Sequence, residues 1–308
     1  MVISASRRTD IPAFYADWML KRLEDGEVVV PYPRNPSRLG RVSLHPDNVD
    51  CIMFWTKNAA PLLDKLDAIT ALGFKFYFSF TITGYGRDFE RNLPDKGAVM
   101  DTFLRLSDKI GPKRADWRFD PILVNSTYSI SWHLDTFGRM CQRLAGSTER
   151  CIMNFIKSYR HLPHIKELEE PVIRELAAGM AKIAAEYNLP LYNCTDVWDL
   201  GGADIGFSSC IDRTKIEEIC GYAIDIKKDP GQPKLCRCVQ SIDIGMYDTC
   251  AHGCTYCYAA SSSKRLEQNR RSHDPASLML AGVPLPGMEI TDRTGMSCKS
   301  EQLKFTGC

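Results

Sequence analysis

The stretch "SIDIGMYDTCAHGCTYCYA", residues 241–259, puts two patterns side by side. Its first part alternates Ile242, Ile244 and Met246 with Asp243, Gly245 and Tyr247, which is the period of a β-strand. Its second part crowds Cys250, Cys254 and Cys257 into one loop at C-x3-C-x2-C spacing. Thiols this close in sequence point in divergent directions, so they are no packing device. They either pair as disulfides or hold a metal. A strand that delivers a cysteine loop at its end is the unit from which the rest of the chain is read.

The compartment separates disulfide from metal. The opening "MVISASRRTDIP" lacks the apolar h-region of a signal peptide, and no apolar run approaches membrane-spanning length. A cytoplasmic protein is expected, and there thiols stay reduced. The chain has 13 cysteines, an odd count that argues against a disulfide framework and for metal sites where they cluster. A formal net charge of +1 gives no global field for nucleic acid or an anionic membrane. At 308 residues and 44% hydrophobic content, there is enough chain for one large α/β barrel or two ordinary domains.

Upstream of the cysteine loop, near-continuous apolar runs alternate with helical patterns. Strands are expected at 2–8, 28–32, 50–57, 74–82, 116–124, 151–158 and 189–196, with 241–247 as an eighth. Runs of this kind suit strands buried on both faces of a parallel sheet. Helices are expected from near Asp10 to Gly26, at 61–72, 95–110, 131–145 and about 167–187, in "DRTKIEEICG", and from about 259 to 271. Between 33 and 48 no helix is apparent, so that connection is irregular or a hairpin. Repeated strand-then-helix units predict a parallel (β/α) barrel or an open parallel sheet. Residues 1–275 read as a single barrel domain whose stretch from about 190 to 260 is cysteine-rich, and 276–308 as an irregular tail rich in Gly, Pro and Ser.

Sulfur ligands in this number select zinc or an iron–sulfur cluster. Structural zinc sites usually take four ligands, in C-x2-C or similar pairs. The tight group here has three, with unequal gaps. Three thiolates can hold three irons of a cubane and leave the fourth iron open. Gly253 suits a loop that must wrap such a cube, because glycine tolerates backbone angles other residues avoid.

At these residues the sequence resembles the radical S-adenosylmethionine (SAM) superfamily, whose motif is C-x3-C-x2-C with an aromatic before the last cysteine, here Tyr256. More narrowly, "SASRRTDIP", "FWTKN", "CTD…SSCID" and "CRCVQSIDIGMYDTCAHGCTYCYA" look like an uncharacterised radical-SAM-like family with its cluster motif at the C-terminus, over about residues 3 to 260. The resemblance implies a TIM-like barrel, a [4Fe–4S] cluster on Cys250, Cys254 and Cys257, and reductive cleavage of SAM. In the wider superfamily the cysteine loop follows the first barrel strand, whereas here it follows the last. A circular permutation reconciles the two, because the last and first strands of a closed barrel are neighbours. The superfamily's Gly-Gly-Glu stretch after the second strand has no match, and "SASRRTD" stands in its place. By position Arg7, Arg8 and Asp10, with Tyr256, become the expected cofactor-binding residues.

Cys194, Cys210, Cys236 and Cys238 lie at strand ends or in loops, and the narrower family shares them. Four thiolates complete either a fully ligated cubane or a zinc site, and both remain open beside the simple burial of unrelated thiols. Cys51, Cys141, Cys151 and Cys220 read as buried structural thiols, and Cys298 and Cys308 as tail residues without partners.

In (β/α) barrels the active site lies on the loops that follow the strands. The strand ends here carry many polar residues: Arg34 and Asn35, Lys57 and Asn58, Thr83 and Tyr85, Arg118 and Asp120, Lys157 and Tyr159, besides Arg7, Arg8 and Asp10. Arg34, Asn35, Lys57, Asn58, Arg118 and Asp120 are the candidate substrate contacts, and a cationic mouth suits a phosphate or carboxylate. His252 reads as a surface histidine and "SSSKRLEQNRR" as a solvated helix face. The expected function is therefore a radical SAM enzyme with one or two [4Fe–4S] clusters, fed by a reductant such as flavodoxin or ferredoxin. The alternatives are a zinc- or cluster-stabilised nucleic-acid-binding module, and an iron–sulfur electron-transfer or redox-sensing protein without SAM chemistry.

Overall fold

The computed structural model describes residues 1–33, 35–194, 200–293 and 295–300. In chain order the elements are β1 (Val2–Ala5), α1 (Ile11–Phe14), α2 (Ala16–Asp25), β2 (Glu27–Tyr32), β3 (Asn35–Ser43), β4 (Cys51–Thr56), α3 (Ala60–Leu63), α4 (Leu66–Ala71), β5 (Phe76–Thr81), α5 (Lys96–Ile110) and β6 (Ala115–Ile122). There follow α6 (Ile130–Leu144), β7 (Cys151–Phe155), α7 (Glu170–Glu186), β8 (Leu191–Asn193), β9 (Gly206–Phe207), α8 (Arg213–Cys220), β10 (Ile242–Asp243), α9 (Ser263–Arg271) and β11 (Glu289–Arg293). No described helix is long and apolar enough to cross a membrane.

Eight strands form one parallel sheet in the order β10-β1-β4-β5-β6-β7-β8-β9. The two ends of the chain's strand series therefore meet: β10 runs parallel beside β1, with Ile3 opposite Ile242 and Ser4 opposite Asp243. That is the neighbour relation a permuted barrel requires. Among the described residues the barrel does not close, because β9 and β10 lie at opposite edges and share no ladder.

Side-chain alternation gives the sheet two apolar faces. On one face Ile3, Ile52, Phe54, Phe78, Trp117 and Met153 join a core with Trp18, Leu66, Phe103, Phe137 and Leu176 from the helices. All those helices pack on that one face. On the other face Val2, Met53, Tyr77 and Ile152 pack with Cys210, Ile211, Ile216, Cys220, Cys238 and Val239. The segment around α8 thus covers the face of the sheet opposite those helices.

Two expected helices are broken. Asp10 caps α1, its Oδ1 accepting from Ala13 N, and left-handed Gly26 ends α2, but Tyr15 interrupts the run between them. The span expected at 61–72 likewise divides into α3 and α4. The run at 28–32 is no barrel strand: β2 pairs antiparallel with β3, and β11 pairs parallel with β3, in a separate three-stranded sheet. The two-residue connection after Tyr32 permits only an antiparallel neighbour. The tail is correspondingly less irregular than expected.

Candidate metal centre and cavity

Asp243 fixes the origin of the cysteine loop. Its carboxylate accepts from Ser4 Oγ (2.9 Å), Ser6 Oγ (2.6 Å), Arg7 N (2.8 Å) and Gly245 N (3.0 Å), which locks the end of β10 to the end of β1. Gly245 is required by contact, since a Cβ there would lie 2.0 Å from Ser6 Oγ. Downstream, the Asp248 carboxylate accepts from Ser261 N (2.5 Å) and Ser262 N (3.0 Å) and closes the loop into a ring.

The loop between these clamps is gripped from the segment after β5. Asn92 N donates to His252 O (3.0 Å), Asn92 Nδ2 to Ala251 O (2.8 Å) and Thr255 N to Phe89 O (2.9 Å), while Glu90 and Cys254 form a β-bridge. Gly253 adopts φ +66°, the left-handed turn its place in the motif demands. The thiols of Cys250, Cys254 and Cys257 are half-buried and line a cavity of about 360 Å³. Burial pushes Cys254 up to about 12 and raises Cys250 and Cys257 as well. Thiolates at these positions need a compensating cation.

His252 corrects the surface reading. It is buried, and its Nε2 lies 2.8 Å from Asp10 Oδ2, which also accepts from Lys57 N (2.7 Å). Asp10 Oδ1 accepts from Thr56 Oγ1 (2.8 Å). One carboxylate thereby joins the ends of β1 and β4 to the cysteine loop, and its hydrogen bonds are spent on the protein.

Glu90, which the sequence reading passed over, is the second buried hub. It accepts from Lys57 Nζ (2.8 Å), Thr83 Oγ1 (2.7 Å), Lys96 Nζ and the Tyr256 hydroxyl. Burial alone would raise its pKa, but the two ammonium groups outweigh it and hold the carboxyl down at about 2. Lys57 also lies 5.6 Å from the Tyr256 ring centroid. The aromatic of the cysteine motif is thus oriented by a carboxylate and covered by a cation.

Cys194, Cys210, Cys236 and Cys238 line the same cavity. All four are buried, and the hydrogen bond from Cys238 pulls the Cys236 thiol down to about 7 against its burial. Arg118 Nη1 donates to Cys210 Sγ (2.9 Å) and Nη2 to Cys194 Sγ (3.4 Å), while Asp120 Oδ2 accepts from Arg118 Nε (2.7 Å). Two cations lie over the Trp55 ring, Arg7 Cζ 5.2 Å and Arg118 Cζ 5.7 Å from its centroid. Among the described residues, no three His, Cys, Asp or Glu side chains converge closely enough to ligate one metal ion.

Of the other expected residues, Arg7, Arg8, Asp10, Lys57, Arg118, Asp120, Lys157, Tyr159 and Tyr256 line the cavity. Asn35 opens β3 in the small sheet, and Asn58 stays at the α3 turn, where its Oδ1 accepts from Ala60 N (3.2 Å). Neither lines the cavity. Arg34 lies outside the described residues, as does Cys308. Cys298 is held by its backbone, whose N–H donates to Asp50 Oδ2 (2.8 Å). Tyr258, also unanticipated, lines the mouth and stacks on Tyr159 with centroids 5.5 Å apart.

A family model described as a domain of unknown function, DUF1848, matches residues 2–259. The match takes in both cysteine groups and ends two residues beyond Cys257. No curated protein and no solved structure matches the chain.

Proposed function

The chain belongs to the DUF1848 family, and we propose that it is a radical SAM enzyme whose cluster is held by Cys250, Cys254 and Cys257. The observation that carries this reading is the position of the cysteine loop. It leaves the C-terminal end of β10, beside β1, and enters a cavity lined by the ends of the neighbouring parallel strands. On this reading the sheet is an open, circularly permuted (β/α) barrel whose inner face the α8 segment covers.

The donor set fits the group. The three thiols line one cavity, and among the described residues no three His, Cys, Asp or Glu side chains converge on a single point. A cubane needs its ligands around a cube, not converging on a point. Cys194, Cys210, Cys236 and Cys238 would hold a second cluster on the facing wall. When bound, the first cluster and SAM together supply one-electron reductive cleavage of the sulfonium and abstraction of a substrate hydrogen.

The chain's own residues bind, orient and shield. Arg7 Nη2 and Thr9 Oγ1 are buried at the cavity without hydrogen-bond partners among the described residues, so both offer unspent groups to a bound molecule. A carboxylate or phosphate suits that guanidinium, and the substrate is proposed to be anionic on that ground. Asp10 and Glu90 hold the strand ends and Tyr256 in register instead of contacting ligand. Tyr159 and Tyr258 flank the opening and limit water entry. Electrons are proposed to come from a flavodoxin or ferredoxin.

Anaerobic reconstitution with iron and sulfide tests the reading. About eight irons per chain are expected if both sites take cubanes, and dithionite with SAM should release 5′-deoxyadenosine. Cys254→Ala should abolish that release. Undiminished SAM cleavage by Cys254→Ala would remove the basis of the assignment.

A further inference from the structure

Arg118 was expected at the mouth as a substrate contact, yet its guanidinium is committed inside the protein. It is 7% exposed, and its two terminal nitrogens donate to the sulfurs of Cys210 and Cys194. Asp120 takes the Nε side at 2.7 Å, and the guanidinium carbon lies over the Trp55 ring, 5.7 Å from its centroid. Arg7 sits on the same ring, with Cys238 and Cys210 near enough to act electrostatically on it. On the wall formed by Cys250, Cys254 and Cys257 the sulfurs meet neutral donors instead, the backbone N–H of His252 at Cys250, those of Ala259 and Ala260 at Cys257 and the Tyr256 hydroxyl at Cys254. Lys57, the cation that acts electrostatically on Cys254 and Cys257, is already paired with Glu90 at 2.8 Å.

We propose that Arg118 is a positioning residue for an iron–sulfur cluster on Cys194, Cys210, Cys236 and Cys238, and that it makes this site the more easily reduced of the two. The inference rests on the reading of the chain as a two-cluster protein. Its physics is general: a cluster gains negative charge when it takes an electron, and a cation hydrogen-bonded to its sulfurs stabilises that form. Asp120 opposes the effect, because its carboxylate offsets part of the guanidinium charge. The two side chains therefore tune one couple in opposite directions. Four thiolates leave no iron open, so this site stores or passes an electron and does not hold a ligand.

The test is a redox titration of the full chain, reconstituted anaerobically with iron and sulfide and followed by electron paramagnetic resonance. Replacing Cys250, Cys254 and Cys257 by Ala isolates the signal of the second site. Arg118→Gln should lower its midpoint by at least a tenfold change in the reduced-to-oxidised ratio, about 59 mV for one electron. Arg118→Lys, which keeps the charge, should fall between it and the parent. Asp120→Asn should move the midpoint upward. Opposite shifts from two neighbouring substitutions are not what a merely structural role produces. Should Arg118→Gln fail to fold, the upward shift of Asp120→Asn decides alone. Unmoved midpoints, or shifts of the same sign, overturn the inference. So does stoichiometric zinc at the four thiols beside a redox-active cluster on the other three. Absence of iron from Cys250, Cys254 and Cys257 would instead bring down the two-cluster reading itself.

Discussion

At Asp10 one carboxylate receives Ala13 N, Thr56 Oγ1, Lys57 N and the His252 ring, and so ties a helix cap, a strand end and the cysteine loop together. Asp10→Ala leaves several buried donors unmatched, each costing about 1–3 kcal/mol. Urea unfolding should show a loss of at least about 3 kcal/mol, together with weaker iron retention. His133 carries a pH dependence. Burial lowers its pKa, although its Nε2 bonds Leu123 O at 2.6 Å and the rings of Tyr85, Phe119 and Trp132 surround it. Below the unfolded value of about 6.5 the unfolded chain takes a proton that the folded chain refuses. Stability should therefore fall as pH drops through that value toward the lower folded pKa. His133→Gln, which keeps a donor for Leu123 O, should flatten the slope of the urea midpoint between pH 7.5 and 5.5. An unchanged slope would assign it to other groups.

At the scale of elements, the β10–β1 pairing is only two residues long on each strand and depends on close backbone approach. In Gly245→Ala the added methyl would meet Ser6 Oγ at 2.0 Å and Ser6 Cβ at 2.5 Å. Overpacking of this kind typically costs about 1–3 kcal/mol. Hydrogen exchange at Ile244, whose N–H bonds Ser4 O at 3.1 Å, should accelerate, with protection in β4–β7 retained. If Ile244 exchanges as slowly as before, the pairing does not depend on that glycine. The apolar strands were legible because each buries both faces, and Asp10 and Gly26 marked helix ends by their capping chemistry. The strands β9 and β11 were not, and β3 fell in the stretch read as either irregular or a hairpin, of which the antiparallel β2–β3 pair is the second. β3 carries Arg38 and Arg41 on a solvated surface, β9 is two residues long, and β11 is mostly exposed. None shows a period that separates it from a loop.

At the scale of the whole molecule, the segment after Pro275 is part of the fold. Ser277 O accepts from Trp18 Nε1 (2.9 Å), Ala276 O from Arg22 Nη2 (3.1 Å), and Leu278 O from Val29 N (3.0 Å). Met279 and Leu280 are buried, and full burial of such side chains is worth about 1.5–3 kcal/mol each. A chain ending at Pro275 should lose about 3–6 kcal/mol of stability and bind a hydrophobic dye at the exposed Val29–Leu39 surface. Unchanged urea unfolding would restore the reading of these residues as a dispensable tail.

The sequence by itself determined the alternation of parallel strands with helices, the strand before the cysteine loop, and the three-thiol group itself. These are local facts, set by periodicity, caps and spacing over a few residues. Only the tertiary structure decided what faces what. It brought Cys194, Cys210, Cys236 and Cys238 to the cavity of Cys250, Cys254 and Cys257, filled the sheet's inner face with the α8 segment, and turned Arg118 from the mouth onto sulfur. It also made hubs of Glu90 and Asp243, two acidic residues with nothing in their neighbourhoods to mark them. Their partners lie far along the chain, Tyr256 for Glu90 and Ser4 for Asp243. A carboxylate is indistinguishable from a solvated surface charge until folding buries it among donors from distant segments.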